Sequence, residues 1–298
     1  MRTRLVSIGL LACLALSPAT ARAEELTGTL KRIKESGTIS LGHRESSIPF
    51  SYYDDKQQVV GYSYDMQMKV VEAVKQELKL PTLQVKLTPV TSQNRIPLVQ
   101  NGTIDLECGS TTNNLERQKQ VSFSTTIFVV GTRLLTRKDS GVKDFADLKG
   151  KNVVTTAGTT SEKLIRAMND EKKLGMNVIS AKDHGESFMT LETGRAVAFM
   201  MDDALLAGER AKARKQDDWV ILGTAQSKEA YGCMLAKDDA AFKKLVDGAI
   251  TVALKADGEK VFKKWFQTAI PPKGVNLNLP LSDDMKALYR NPTDKAFQ

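Results

Sequence analysis

Residues 84–118 read QVKLTPVTSQNRIPLVQNGTIDLECGSTTNNLERQ, and this stretch decides the fold class. Gln84 to Val90 and Ile104 to Cys108 are short runs rich in Val, Ile, Leu and Thr, which is typical of strands. Each run ends in a polar segment, TSQNR after the first and GSTT after the second. Strands that recur in this way, with helical stretches between them, predict a largely parallel sheet.

The same alternation extends in both directions along the chain. A first block of strands and helices runs from about Leu30 to Phe123, and a second block ends near Leu222. Thr126 to Leu135 between them is predicted to be one long strand, and Asp239 to Phe266 a helical region. We therefore expect an α/β protein of two similar lobes. The other predicted strands are Thr38 to Gly42, Asn152 to Thr156, Met176 to Ser180, Ala196 to Met201 and Tyr231 to Ala236.

The N-terminus is typical of an export signal. Arg2 and Arg4 precede an apolar run from Leu5 to Leu16, which is shorter than the roughly 20 residues needed to span a bilayer. Ala21-Arg22-Ala23 provides the small residues of a cleavage site, so residues 1–23 are expected to be removed. Leu10 to Cys13 also resembles a lipoprotein cleavage box, which leaves lipidation as an alternative.

Charge and motif content exclude several classes of protein. The net charge of +8 falls to +5 when three arginines leave with the signal, and the remaining Lys and Arg are dispersed rather than gathered in one basic run, so we expect no nucleic-acid partner. The sequence has no HExxH, CxxC, GxGxxG or GxSxG motif and only two histidines. We expect no metal, no cofactor and no catalytic residue.

Two cysteines remain after removal of the signal. Cys108 and Cys233 lie in separate strand-like runs, too far apart in sequence for a short metal-binding knuckle. An even pair in an oxidising compartment predicts one disulfide, and two buried free thiols are the alternative.

Polar side chains follow the predicted strands at their carboxyl ends, which is where open α/β sheets bind ligands. The first block supplies three arginines together with hydroxyls, and the second supplies a hydroxyl, a histidine and an acid. Guanidinium groups and helix N-termini bind carboxylates, and a lone acid can receive an ammonium. The sequence thus predicts a site for a small ligand with more than one negative group. Its candidate residues from this placement are Arg44, Arg95, Arg117, Thr160, His184 and Asp202.

Five segments of the chain resemble the periplasmic glutamate/aspartate-binding proteins of bacterial ABC importers, within solute-binding protein family 3. The similarity extends from about Leu30 to the C-terminus, and its motifs are typical of the branch that binds acidic amino acids. The segments are Gly42 to Asp65, Thr91 to Gln118, Gly158 to Glu162, Ser180 to Phe188 and Gly194 to Glu209.

The resemblance implies a type II periplasmic-binding-protein fold, a Venus flytrap whose two lobes are joined by two crossover strands. One lobe would comprise residues 24–130 and 231–298, and the other residues 131–230. The crossovers would be Thr126 to Leu135 and the neighbourhood of Lys228 to Tyr231. In such a fold Cys108 and Cys233 would be neighbours, which favours the disulfide.

The resemblance also implies a role for each candidate residue. Arg117, Thr112 and Thr160 would hold the α-carboxylate of L-glutamate or L-aspartate, and Asp202 with Ser110 would take its α-ammonium. The side-chain carboxylate would be bound by Arg44, Ser92, Arg95 and His184. The expected protein is a periplasmic monomer that delivers its ligand to the importer's membrane permease.

Two other functions fit parts of the pattern. The same scaffold supports exported cyclohexadienyl dehydratases, in which His184 or Glu45 would serve as an acid, although an arginine-rich pocket suits binding better than proton transfer. A ligand-sensing module of a receptor is the third interpretation. No signalling segment is recognised after Lys228, which weakens it.

Overall fold

The computed structural model describes residues 26–297, so the predicted signal peptide and the Cys13 box lie outside the described residues. The strands are β1 Thr38–His43, β2 Ser46–Ser47, β3 Ser51–Tyr53, β4 Val59–Val60, β5 Gln84–Pro89, β6 Leu106–Glu107, β7 Thr112–Asn113, β8 Ser122–Val130, β9 Thr132–Arg137, β10 Asn152–Thr156, β11 Asn177–Ala181, β12 Ala198–Asp202, β13 Trp219–Leu222 and β14 Glu229–Leu235. The helices are α1 Gly28–Ser36, α2 Tyr62–Leu78, α3 Arg95–Gln100, α4 Leu115–Gln118, α5 Thr160–Glu171, α6 His184–Glu192, α7 Asp203–Lys212, α8 Ala240–Phe266 and α9 Asp283–Arg290.

Two large sheets form the framework of the molecule. The first has the order β5-β1-β6-β14-β7, with β8 also paired to β14, and the second has the order β11-β10-β12-β9-β13. β1 is parallel to β5 and β6, and β10 is parallel to β11 and β12, as the alternation of strands and helices predicted. We call the part built on the first sheet lobe 1 and the part built on the second lobe 2.

The prediction of a single long strand from Thr126 to Leu135 is wrong. The segment is two strands, β8 in the first sheet and β9 in the second, with Gly131 between them. A Cβ at Gly131 would lie 3.2 Å from the carbonyl oxygen of Ser227, on the segment by which the chain returns to lobe 1. The two connections between the lobes therefore touch each other, and Gln226 N donates to Thr132 O across them at 3.0 Å.

A third, small sheet was not predicted. Strands β2, β3 and β4 form an antiparallel meander between β1 and α2. It packs Phe50 against the ring of Phe128 with centroids 4.9 Å apart, and its Ser51 Oγ accepts from the backbone N of Arg44 at 2.9 Å. The meander thus fixes the loop that follows β1.

Helices α2 and α8 cover the core of lobe 1, and their rings meet over β8. Tyr62, Phe128 and Phe266 form this contact, with centroid distances from 4.8 to 5.5 Å. A separate cluster under lobe 2 includes Phe145 and Ile165. None of the helices within residues 26–297 is long and apolar enough to cross a membrane.

The predicted disulfide is confirmed. β6 and β14 are antiparallel neighbours with Glu107 opposite Met234, which brings Cys108 beside Cys233, and the two are bonded. The bridge joins positions 125 residues apart within lobe 1.

Candidate ligand site between the lobes

Arg44 follows β1 and is almost wholly buried, with 1% of its surface exposed. Its Nε donates to the carbonyl oxygen of Val90 at 3.1 Å, and Nη1 donates to Ser110 Oγ at 3.4 Å. The guanidinium is therefore held by two strand ends of the first sheet, as the position of polar residues at carboxyl ends predicts.

Arg95 begins α3 and is equally buried. Its Nη1 donates to Ser110 O at 3.1 Å and to Thr111 Oγ1 at 2.5 Å, while its Nε has no partner. Ser92 Oγ, three residues earlier, is buried without a partner as well. Unpaired buried donors are costly, so their presence here marks a position where a ligand could accept hydrogen bonds.

Arg117 lies in the short helix α4, whose first turn is fixed by Asn114 Oδ1 accepting from Arg117 N at 2.9 Å. Its Nη1 donates to Thr112 O at 2.9 Å, within lobe 1. Its Nη2 donates to Gly158 O at 3.2 Å, in lobe 2. This guanidinium therefore lies where the two lobes touch.

Lobe 2 presents two helix N-termini to lobe 1. Thr160 begins α5, and its Oγ1 lies 3.4 Å from Thr112 Oγ1. His184 begins α6 and is buried, with Nδ1 2.8 Å from Thr156 Oγ1 and with Nε2 unpartnered. Both residues are placed by strand ends, those of β10 and β11.

Asp202 ends β12 and is 2% exposed. Its Oδ1 accepts from Thr132 Oγ1 at 3.1 Å and from Ser161 Oγ at 3.3 Å, and its Oδ2 accepts from the Tyr231 hydroxyl. The residue is thus fixed by three hydroxyls.

Glu229 is a second buried acid of the site, and no sequence motif pointed to it. Its Oε2 accepts from Thr112 Oγ1 at 2.5 Å and from Thr160 Oγ1 at 2.7 Å, one hydroxyl from each lobe. Thr132, Ser161 and Tyr231 were missed in the same way.

Burial disfavours charge throughout the site. Burial lowers the pKa of Arg44 and of Arg117 to about 10, with the nearby charge of Arg95 adding to the effect, so both stay protonated at neutral pH. Burial, followed by the charges of Arg44 and Arg95, holds the pKa of His184 well below its usual value, so the ring is neutral. Burial, followed by the charge of Glu229, raises the pKa of Asp202 to about 8.

The structure brings candidate residues of both lobes together where the lobes meet. Arg44 and Arg95 meet at Ser110, Thr112 meets Thr160, and the charges of Arg44 and Arg95 act on His184. The site has a cationic end and an acidic end. The two ends are close enough for the charge of Asp202 to raise the pKa of Arg95 and of Arg117, against the larger effect of burial. Chemically, this arrangement can hold carboxylates at one side and an ammonium at the other.

Residues 39–268 match the family described as bacterial extracellular solute-binding proteins, family 3. The chain belongs to this family. It is 66% identical over 297 residues to the L-glutamate/L-aspartate-binding protein of Pseudomonas aeruginosa, covering 99% of this chain and 97% of that relative. It is 63% identical over 289 residues to the glutamate/aspartate import solute-binding protein of Escherichia coli K12, covering 95% of this chain and 96% of the relative.

Solved structures with the same architecture include two arginine-binding proteins. A variant of ArgBP from T. maritima matches with a TM-score of 0.69 at 27% identity, covering 80% of this chain and 99% of that one. An ancestral arginine-binding protein bound to glutamine matches with the same score at 26% identity, covering 77% and 98%. The predicted two-lobed type II fold is confirmed. The sequence relatives are named for binding and import and not for catalysis, which favours binding over the dehydratase alternative.

Proposed function

We propose that the chain is the solute-binding protein of an ABC importer and captures L-glutamate or L-aspartate between its lobes. The observation that carries this proposal is the convergence of three buried arginines with His184, opposite a buried aspartate, at the junction of the lobes. Such a site suits a zwitterion with a second carboxylate. The names of the relatives in Pseudomonas aeruginosa and Escherichia coli support the same ligands.

In this proposal the α-carboxylate and the α-ammonium of the ligand bind at the junction of the lobes. Arg117 offers a guanidinium beside Thr112, and the N-terminus of α5 at Thr160 faces it from lobe 2. Asp202, assisted by Ser110, receives the ammonium. These contacts are common to all α-amino acids, so they supply affinity without selecting the side chain.

Selectivity for an acidic side chain comes from the other end of the site. Three buried polar atoms lack a partner there, Ser92 Oγ, Arg95 Nε and His184 Nε2. A side-chain carboxylate accepts hydrogen bonds from all three when His184 carries its hydrogen on Nε2 and Nδ1 accepts from Thr156. Arg44 adds charge to this end. A neutral amide would leave a desolvated arginine poorly paired, at a cost of about 2 to 5 kcal/mol or at least roughly 30-fold in affinity.

Binding is coupled to closure because the contacts come from both lobes. Thr160, His184 and Asp202 reach the ligand only when lobe 2 approaches lobe 1, so the ligand stabilises the closed form by contacts that the open form lacks. At the rim of the cleft, Lys163 Nζ of α5 lies 2.7 Å from a Glu116 oxygen of α4. The closed form is the signal that a membrane permease recognises in this proposal.

Organisation and location are part of the same proposal. The lobes comprise residues 24–130 with 231–298, and 131–230. The membership of β8 in the first sheet and of β9 in the second supports the first boundary, whereas β14 joins the first sheet from Glu229, two residues before the second boundary. Residues 1–23 act as a cleaved export signal and the mature protein is periplasmic. It acts as a monomer, its partners are the amino acid and the permease, and it binds no nucleic acid.

Calorimetry tests the proposal with glutamate, aspartate, glutamine and asparagine. We expect tight binding of one or both acidic ligands and at least roughly 30-fold weaker binding of the amides. Arg117→Ala should weaken all four ligands, whereas Arg137→Ala, which removes an exposed arginine of β9, should change none. Absence of heat with every acidic amino acid would refute the proposal.

A further inference from the structure

Asp202 and Glu229 form a pair of buried carboxyls that share one hydroxyl. They are 2% and 7% exposed, respectively. Thr132 Oγ1 lies 3.1 Å from Asp202 Oδ1 and 3.3 Å from Glu229 Oε1, and these two distances add to 6.4 Å, the greatest separation the two oxygens can have. Two negative charges at this distance, away from water, repel each other strongly.

Hydroxyls surround the pair, and they stabilise negative charge less than a cation would. Thr112, Thr160 and Ser227 lie within 2.9 Å of Glu229, and Tyr231 with Ser161 contacts Asp202. In the part of the chain that the structure describes, neither carboxyl forms an ion pair within 4.0 Å of a Lys or Arg nitrogen. A pair of acids without a direct counter-ion tends to keep a proton.

Charged groups on neighbouring elements act on the pair in both directions. Asp203, at the start of α7, adds a further negative charge next to Asp202. Arg95 and Arg117 of lobe 1 oppose it, because their charges act on both carboxyls. Arg133 of β9 acts on Asp203. The balance of burial and charge raises the pKa of Asp202 to about 8, so repulsion and desolvation outweigh the arginines.

We infer that Asp202, beside the carboxylate of Glu229, carries a proton before the ligand binds, and that the ligand's ammonium replaces it. The inference rests on the proposed function and adds Glu229 to the groups that select the ligand. The proton leaves the carboxyl pair for the solvent, and the ammonium, which is already protonated, enters with its own charge. One positive charge is exchanged for another, so the pair faces the bound ammonium as two carboxylates.

The exchange makes binding dependent on pH. Because binding releases a proton, affinity rises with pH between about 6 and 8, by up to tenfold per pH unit, and levels off above 8. His184 cannot produce this effect, since a buried neutral ring would take up a proton beside a bound carboxylate. A dicarboxylate without an amine, such as glutarate, displaces no proton from the pair.

The experiment is calorimetry at pH 7.5 in phosphate, HEPES and Tris, whose ionisation enthalpies differ. The slope of the apparent binding enthalpy against buffer ionisation enthalpy gives the number of protons released. We expect the release of most of one proton per glutamate in the unmodified protein, because a carboxyl with a pKa of about 8 is largely protonated at pH 7.5. Glu229→Gln should at least halve this number, and Glu192→Gln, an exposed glutamate of α6, should leave it unchanged.

Two results would overturn the inference while leaving the proposed function intact. One is glutamate binding whose heat is the same in all three buffers, and the other is a Glu229→Gln variant that releases as many protons as the unmodified protein. If Glu229→Gln fails to fold, the pH dependence of the unmodified protein decides. The inference requires glutamate to bind it more tightly at pH 8 than at pH 6, and equal affinity at the two pH values would refute the inference. Absence of any heat with acidic amino acids would count against the proposed function itself.

Discussion

Arg95 offers the most direct test of how the site selects an acidic side chain. Its guanidinium is 1% exposed and uses Nη1 within lobe 1, on Ser110 O and Thr111 Oγ1, while Nε remains for the ligand. Arg95→Ala should therefore remove a charge-assisted hydrogen bond from the side-chain carboxylate of glutamate. Loss of one partner of a buried charged pair costs about 2 to 5 kcal/mol, which corresponds to about 30- to 5,000-fold in Kd.

Glutamine should respond much less to the same substitution. Its side-chain amide accepts an ordinary hydrogen bond, which contributes about 0.5 to 1.5 kcal/mol, so its Kd should change by about tenfold or less. Calorimetry on one protein sample gives, for each ligand, the factor by which the substitution raises Kd. The ratio of the factors does not depend on any general loss of stability, because such a loss affects both ligands alike.

Arg117→Ala provides the matched control. It removes another buried guanidinium of lobe 1, but one that we assign to the α-carboxylate, which glutamate and glutamine share. We expect equal factors for the two ligands in Arg117→Ala and unequal factors in Arg95→Ala. Thermal unfolding should show that both variants remain folded. Equal factors in Arg95→Ala would remove this residue from the side-chain end of the site.

Three other perturbations test separate parts of the structure. Asp202→Asn should abolish binding yet raise the melting temperature of the ligand-free protein at pH 8. The raised pKa of Asp202 makes the folded state bind more protons than the unfolded state between about pH 4 and 8, so its ionisation lowers stability as pH rises. Melting curves at pH 5 and 8 would contradict this if the variant gained no stability at pH 8. Replacing both Cys108 and Cys233 with serine should lower the free energy of unfolding by about 2 to 5 kcal/mol, and an unchanged denaturant midpoint would argue against the bridge. Glu116→Gln should weaken glutamate binding less than about fivefold and only at low salt, because its ion pair with Lys163 is exposed; a larger effect by calorimetry in 0.5 M NaCl would show that this pair does more than assist closure.

The regular strands and the arginine positions were predictable because they follow from local patterns. Buried parallel strands form continuous apolar runs, so Asn152 to Thr156 was predicted with its observed bounds. Their carboxyl ends meet at one edge, which is why Arg44, after β1, and His184, after β11, could be predicted to lie close together. Predicting a ligand site at these ends requires only the direction of the chain and the residue at which each apolar run stops.

The features that were missed depend on contacts distant in sequence. Gly131 interrupts an otherwise apolar segment because the returning connection at Ser227 packs against it. Strands β2 and β4 have two residues each, too few for any periodicity. Glu229 stands at the start of β14 without a motif, and its role near Asp202 arises only when β14 pairs with β8, where Glu229 lies opposite Val130.

The unpaired polar atoms also predict that a ligand favours closure of the lobes. Ser92 and Arg95 belong to lobe 1 and His184 to lobe 2, and each retains a buried atom without a partner where the lobes meet. In an open cleft water could satisfy these atoms, whereas closure without a ligand costs about 1 to 3 kcal/mol for each one. Direct polar contacts between the lobes, such as Arg117 to Gly158 and Thr160 to Glu229, offset part of this cost at about 1 kcal/mol each. A carboxylate that supplies the missing acceptor removes this cost, so we expect the same atoms both to favour an acidic ligand and to couple its binding to closure.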